Sequence, residues 1–151
     1  MAQAIILACG NPLRGDDGVA WHIARALQET STKPQMKIVC AQQWTPEMAE
    51  DISQAELAIF VDASAAIAAG EIRVERISVS DVALTVETHA LSPMQLFSLA
   101  TELYQRVPEK AFLLTIGGQS FEHGDQLSEA AHRAIPAACH RIQALLAAGN
   151  E

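Results

Sequence analysis

The stretch AIILACGNPLRGDDGVA, residues 4–20, carries the pattern that decides the fold. Its first six residues form a continuous apolar run, which is typical of a strand buried on both faces of a sheet. Residues 10–15 interrupt the run, and Asp16 and Asp17 then open a helical pattern, because aspartate is a favoured residue at a helix start. The apolar residues that follow recur at helical spacing, at Val19, Ala20, Ile23, Ala24 and Leu27.

Buried strands and helices continue to alternate along the rest of the chain. The sequence predicts strands at residues 37–41, 57–61, 72–77 and 111–116, and helices at 46–54, from 92 onward and at 128–148. Residues 72–77 alternate apolar and charged side chains, which predicts an edge or half-exposed strand, and residues 78–89 predict a loop. We therefore expect a single α/β domain over residues 1–151, a three-layer α/β/α sandwich with a mostly parallel five-stranded sheet.

The charge of the chain argues against several classes of partner. Half of the residues are hydrophobic, 5% are aromatic, and the formal net charge is −8. Such an acidic chain repels phosphate backbones and anionic lipid, so we expect binding neither to nucleic acid nor to a membrane surface.

The cysteines and the first residues point to a reducing compartment. Cys9, Cys40 and Cys139 are far apart and form no CxxC pair, so they predict no disulfide framework. Cys9 and Cys40 lie in apolar runs and are expected to be small core residues. The first apolar run has no basic residues before it and is too short for a signal peptide, so we expect a cytoplasmic protein.

Three polar residues occupy positions where a parallel sheet places functional groups, beyond the carboxyl ends of its strands. Asp17 begins the first helix, Asp62 ends a strongly apolar strand, and His89 precedes a helix. Two carboxylates and one imidazole suit a divalent ion such as Zn²⁺ or Ni²⁺, with coordination positions left open. Each residue also has a structural explanation: helix capping for Asp17, a turn for Asp62 and an exposed loop for His89.

Other catalytic motifs are missing from the sequence. Residues 10–15 lie where a phosphate-binding loop would, but they have neither the GxGxxG nor the GxxxxGKS/T spacing. The acidic pair that follows would repel phosphate at the helix N-terminus. The chain also has no HExxH and no GxSxG, so neither a helical zinc pair nor a nucleophile elbow is supported.

Four segments together resemble the [NiFe]-hydrogenase maturation protease family. They are residues 4–20, VDAS at 61–64, THALSP at 88–93 and LLTIGGQSFEHGDQLSEAAHRAI at 113–135, and their order and separations agree with the family over nearly the whole chain. The chain departs from the family pattern at Asp17, where glutamate is frequent. It departs again at residues 42–47, QQWTPE, where many members have a glycine-rich turn; this second departure bears on substrate choice.

The resemblance implies a function. The protein would be an endopeptidase that removes the C-terminal extension of a hydrogenase large-subunit precursor once nickel has been inserted. The family's metal-contacting residues fall on Asp17, Asp62 and His89, which would recognise nickel carried by the substrate. We expect a monomer with no tightly held metal of its own, although zinc or cadmium could occupy the site.

The resemblance leaves the chemistry of cleavage open. A metal could polarise the scissile carbonyl or activate a water, with Asp16 or Asp17 as the base. Backbone groups around Gly10, Asn11 and Gly117 could stabilise an oxyanion. We expect Asn11 and Gly117 to bind substrate; Asn11 could orient a ligand or the peptide, or it could equally cap its own turn. Two other functions stay open at this point: a chaperone that binds the large subunit without cutting it, and a metallohydrolase that acts on small substrates.

Overall fold

The computed structural model describes residues 3–30, 36–78 and 91–148 of the chain. Within these ranges five strands form one sheet: β1 (Ala4–Cys9), β2 (Met36–Ala41), β3 (Leu57–Ser64), β4 (Ile72–Ile77) and β5 (Lys110–Gly117). Their order across the sheet is β2-β1-β3-β5-β4. β4 runs antiparallel to β5, and the other pairs are parallel.

Helices cover both faces of the sheet because β1 alternates its apolar side chains between them. Ala4, Ile6 and Ala8 pack in one core with α1 (Val19–Thr30) and α4 (Glu129–Ala148). The intervening residues Ile5, Leu7 and Cys9 pack in a second core with α2 (Met48–Ser53) and α3 (Pro93–Tyr104). The prediction of a three-layer α/β/α sandwich with a mostly parallel five-stranded sheet is confirmed.

Local sequence explains how α3 begins. Ser92 caps the helix: its side chain accepts a hydrogen bond from the Gln95 backbone N–H, and the Gln95 side chain accepts one from the Ser92 N–H. Pro93 occupies the first helical position, where its missing N–H leaves no intrahelical bond unmade. The predicted start of this helix at residues 92–93 is therefore confirmed.

Some predicted boundaries were wrong. The helix predicted at 46–54 is shorter, since α2 spans Met48–Ser53 and residues 46–47 form the turn that leads into it. β3 does not end at Val61 but continues to Ser64, because Asp62, Ala63 and Ser64 stay paired with β5. Most of the loop predicted at 78–89 lies outside the described residues.

Cys40 was expected in the core and is exposed. It belongs to β2, the outer strand next to β1, so one side of its strand has no sheet neighbour among the described residues. An apolar run therefore predicted a strand correctly without indicating that the strand lies at the edge. Among the described helices, none is long and apolar enough to cross a membrane.

The strand order creates a crevice between β1 and β3. From the carboxyl end of β1 the chain passes through α1 to β2 on one side, and from the carboxyl end of β3 it passes to β4, beyond β5, on the other side. At such a switch point the connections leave the carboxyl ends of two adjacent strands in opposite directions, which opens a gap between them.

Candidate functional site at the carboxyl ends of β1 and β3

Asp62 lies at the crevice because β3 extends beyond β1. The last paired residues of these two strands are Ala8 and Val61, whereas Asp62 is paired only with Thr115 of β5. By strand alternation Asp62 falls on the same face as Phe60, the face that also buries Cys9. Its carboxylate is therefore placed just above the end of β1, partly buried and next to the turn that leaves that strand.

The surroundings of Asp62 disfavour its charged form. Burial foremost, and the negative charge of Asp17 to a smaller extent, raise the pKa of its carboxyl to about 6. The backbone N–H of Ala63 donates to Asp62 Oδ1 at 2.9 Å, which opposes the shift without cancelling it. A carboxylate with this combination of burial and a like charge is a candidate functional group.

Asp17 reaches the same crevice from the turn after β1. It belongs to a 3-10 turn, Gly15–Gly18, that leads directly into α1. The backbone N–H of Asn11 donates to Asp17 Oδ2 at 2.8 Å, which fixes the carboxylate beside the end of β1. Gly10 permits this approach: its φ is +150°, and a Cβ there would lie 1.8 Å from the Asp17 carbonyl oxygen.

Cys9 lies beside both carboxylates. Burial raises the pKa of its thiol to about 12, and the charges of Asp62 and Asp17 contribute to that shift. The thiol is therefore protonated at neutral pH and is a poor nucleophile. The expectation that Cys9 is a buried core residue is confirmed.

Asp16 points away from the crevice and is fully buried, with 0% of its surface exposed. Its Oδ2 accepts hydrogen bonds from the Gln119 N–H at 2.7 Å and the Ser120 N–H at 3.2 Å. Ser128 donates to it twice, from its N–H to Oδ1 and from its Oγ to Oδ2, both at 2.7 Å. These bonds, Ser128 foremost, hold the pKa of Asp16 below its ordinary value although burial alone would raise it. We call Asp16, Gln119, Ser120 and Ser128 the clasp.

The clasp bears on the prediction that Asp16 acts as a catalytic base. Its carboxylate is enclosed by protein donors, and these four donors occupy the oxygen atoms that a substrate proton would have to reach. Asp17 is the member of the acidic pair that lies at the crevice.

The backbone groups suggested for an oxyanion site have partners in the protein. The N–H of Gly10 donates to the Ala41 carbonyl at 3.0 Å, and that of Asn11 donates to Asp17. The N–H of Gly117 donates to the Glu71 carbonyl at 2.8 Å. In this conformation none of the three N–H groups points to open space.

Gly117 was also predicted to bind substrate, and the structure gives it a packing role. It is buried, and a Cβ there would lie 1.8 Å from the Ala68 carbonyl oxygen. Asn11, the other residue predicted to bind substrate, is half-buried, and its Oδ1 accepts from the Leu13 N–H at 2.9 Å. Among the described residues, the side-chain hydrogen bond found for Asn11 uses its Oδ1 and not its NH₂ group.

The structure thus brings Asp17 and Asp62 together and places Asp16 behind them. His89, the third predicted metal-contacting residue, lies outside the described residues. Within the described part, no group of three or more histidine, cysteine, aspartate or glutamate side chains could hold a metal ion.

Sequence reasoning missed the residues that hold Asp16. Ser128 directly precedes α4, and its Oγ accepts from the Ala131 N–H at 3.2 Å, as a helix cap does. A serine before a helix is a recognisable capping signal. Its second partner, Asp16, is 112 residues away and leaves no local signature.

The comparisons with known proteins identify the fold. No family model and no curated protein matches the chain, whereas several solved structures do. The hydrogenase maturating endopeptidase HybD from E. coli is 23% identical with a TM-score of 0.75, over 97% of this chain and 92% of that one. The hydrogenase 2 maturation peptidase of a Thaumarchaeota archaeon is 21% identical with a TM-score of 0.74, over 96% and 98%.

A third example is the [NiFe] hydrogenase maturation protease HycI from Thermococcus kodakarensis, which is 21% identical with a TM-score of 0.74, over 93% of this chain and 90% of that one. At these levels of identity the likeness establishes a shared fold over nearly the full length of both chains.

Proposed function

We propose that this protein is an endopeptidase that removes the C-terminal extension of a [NiFe]-hydrogenase large-subunit precursor after nickel insertion. The observation that carries the proposal is the pairing of Asp17 and Asp62 at the switch point between β1 and β3. The same fold occurs in proteins named as hydrogenase maturation endopeptidases, which supports this function over others.

In this proposal the nickel belongs to the substrate. Asp17 and Asp62 supply two carboxylates, and His89 supplies an imidazole. Oxygen and imidazole ligands can complete the coordination of an ion held by the substrate's own side chains. A precursor without nickel would offer nothing for these groups to bind, so cleavage would follow metal insertion.

The position of α3 supports the assignment of His89. Only residues 105–109 join the end of α3 to the start of β5 at the amino edge of the parallel strands. α3 must therefore run back along the sheet, with Ser92 toward the carboxyl edge. His89 precedes Ser92 by three residues in the sequence.

The raised pKa of Asp62 suits this role. A buried carboxyl that shares its surroundings with a second carboxylate is costly to ionise. A divalent cation brought by the substrate would relieve the repulsion between Asp17 and Asp62 and favour the charged form of Asp62. Asp17 is our candidate for the base that activates water, because Asp16 is enclosed in the clasp.

The test is mass spectrometry of purified candidate precursors incubated with the protein, with and without nickel. We expect a shortened product from the nickel-loaded precursor only. Asp62→Ala and His89→Ala should abolish the product, whereas Asp51→Ala, which removes an exposed ion pair with Lys37, should not.

Three results would contradict the proposal. Binding of precursor without any loss of mass would favour a chaperone. Turnover of small peptides or esters with added zinc, independent of precursor, would favour a metallohydrolase. Normal processing by both the Asp62 and the His89 variants would remove these residues from the site.

A further inference from the structure

We propose that Asp16 and Ser128 are positioning residues: the clasp uses the segment between β5 and α4 to fix the turn that presents Asp17 to the crevice. This inference rests on the proposed function for its catalytic consequence, whereas its structural part stands on the hydrogen bonds around Asp16. It gives the two aspartates different roles, with Asp16 holding the turn and Asp17 facing the crevice. It also assigns a role to Ser128, a residue distant in sequence.

The clasp joins two loops that also contact each other through backbone hydrogen bonds. The N–H of Gly15 donates to the Gly124 carbonyl at 2.8 Å, and the N–H of Gly124 donates to the Leu13 carbonyl at 2.8 Å. The N–H of Asp16 donates to the Ser120 carbonyl at 2.8 Å. The bonds at Leu13 and Gly124 lie among exposed residues, so water competes for them.

The buried Asp16 side chain adds further hydrogen bonds between the two loops. Its four hydrogen bonds are charge-assisted and the side chain is fully removed from solvent, which makes these bonds stronger than the backbone bonds around them. Gly118 lets the second loop come this close, because a Cβ there would lie 3.0 Å from the Cβ of Asp16.

Ser128 links the clasp to helix α4. Its Oγ donates to Asp16 and accepts from Ala131 in the first turn of α4. α4 is 20 residues long and packs its buried face against α1, in the core that these two helices form with β1. The position of the turn is thereby fixed relative to the longest of the described helices.

Asp17 is the next residue in the same four-residue turn. A movement of Asp16 out of the clasp would rotate the turn and shift the Asp17 carboxylate away from the Asn11 N–H. The hydrogen bond from Asn11 to Asp17, 2.8 Å long, is therefore a local reporter of where the Asp17 side chain lies. It can be measured without any substrate.

The experiment compares Ser128→Ala, Ser128→Thr and Ser53→Ala in the full-length protein. Ser128→Ala removes the hydroxyl from the clasp, and Ser128→Thr keeps it. Ser53→Ala is the matched control, because it also removes a serine hydroxyl that donates a hydrogen bond. Ser53 is a buried residue of α2 on the other face of the sheet, and its hydroxyl donates to the Glu50 carbonyl at 2.6 Å.

Two quantities are measured for each variant: kcat and KM for processing of nickel-loaded precursor, and the NMR amide exchange rate of Asn11. For Ser128→Ala we expect kcat to fall about 10- to 100-fold and KM to rise by a smaller factor, since the misplaced Asp17 is the candidate base as well as a ligand for the substrate's nickel. Asn11 exchange should become at least about tenfold faster as its bond to Asp17 loosens. Ser128→Thr should restore both values, and Ser53→Ala should change neither.

The inference is overturned if Ser128→Ala leaves kcat and Asn11 exchange unchanged, or if Ser53→Ala changes them equally. A loss confined to KM would also overturn it, because it would assign Ser128 to substrate docking. If the wild-type protein fails to process any precursor, the proposed function falls, and Asn11 exchange alone decides the inference. Unchanged exchange in Ser128→Ala would then reject it, and faster exchange would support it.

Discussion

The clasp and the crevice each contain an aspartate that is shielded from solvent, Asp16 and Asp62, but the two carboxylates have different numbers of hydrogen-bond donors around them. Asp16 is fully buried and accepts four hydrogen bonds. Asp62 is partly buried, and within the described residues it accepts one hydrogen bond, from Ala63. The pKa of Asp16 is lowered and that of Asp62 is raised, although burial pushes both upward.

The difference separates a structural carboxylate from a candidate functional one. Donors arranged around Asp16 stabilise its charge, so its ionised form contributes to folding. At Asp62 the donors are few and Asp17 lies nearby, so its ionised form costs stability. An unfavourable group of this kind is typical of functional sites, and under the proposed function its partner would be the divalent cation that the substrate carries.

The largest effect is expected from removing the Asp16 carboxylate, the common acceptor of the clasp. Asp16→Ala should lower the free energy of unfolding by about 3 kcal/mol or more, because it removes four charge-assisted hydrogen bonds to a fully buried carboxylate. Denaturant unfolding measures this loss. Asp125→Ala, an exposed acidic residue of the same loop, should change stability by less than about 0.5 kcal/mol. Equal losses in the two variants would show that the clasp adds nothing specific.

The next effect concerns the packing that brings Asp17 to the crevice. Gly10→Ala should destabilise the protein by about 3 kcal/mol, because its Cβ would clash with the Asp17 carbonyl and its φ is unfavourable for alanine. Gly124→Ala is the matched control, since its φ is +142° but nothing lies within 4 Å of the added Cβ. Thermal unfolding should show a loss of about 1 kcal/mol there. Similar losses at both positions would mean that backbone strain alone accounts for the effect.

A gain in stability is expected at the crevice. Asp62→Asn should stabilise the protein at pH 7 by at most about 3 kcal/mol, given a pKa of about 6 in the folded protein against the ordinary 3.8. With a raised folded-state pKa, the wild-type protein is most stable with Asp62 protonated and loses that stability as pH rises through 6. The advantage of the asparagine variant should therefore disappear below about pH 4.

Unfolding curves at pH 4 and pH 7 test this dependence, with the exposed Asp51→Asn as the control. An asparagine variant that is less stable than wild type at pH 7 would contradict the expected cost of the Asp62 charge. The same variant should fail to process precursor under the proposed function, so gained stability and lost activity would occur together.

The smallest effect concerns the interaction between the two carboxylates. Asp17→Asn should lower the pKa of Asp62, because it removes a nearby negative charge, but should leave it above the ordinary value, since burial is the larger cause. An NMR titration of the Asp62 carboxyl measures the change. An unaltered Asp62 pKa would show that the two groups do not share one site.

Residues 4–20 show which features of the structure the local sequence pattern could predict. The apolar run predicted β1, the helical spacing predicted α1, and the rule that functional groups follow strand ends selected Asp17 and, later in the chain, Asp62. The strand and the body of the helix were predicted correctly because burial on two faces and helical periodicity are properties of adjacent residues. The predicted helix start at Asp16 and Asp17 was wrong, since both residues lie in the 3-10 turn Gly15–Gly18 and α1 begins at Val19. Asp16 and Asp17 could not be told apart in the same way, since both are aspartates at one predicted helix start.

The sequence by itself determined the alternation of strands and helices and the layered α/β architecture, and it nominated Asp17 and Asp62 as candidate metal-contacting carboxylates, which stays a prediction. Only the tertiary structure decided that Asp16 turns inward to Ser128 while Asp17 turns outward to the crevice, that β3 extends beyond β1, and that Cys40 lies at a sheet edge. The physical reason is the separation along the sequence over which each effect acts. Periodicity and capping involve residues only a few positions apart. The burial of a side chain and its hydrogen-bond partners depend instead on segments that meet only when the sheet is assembled.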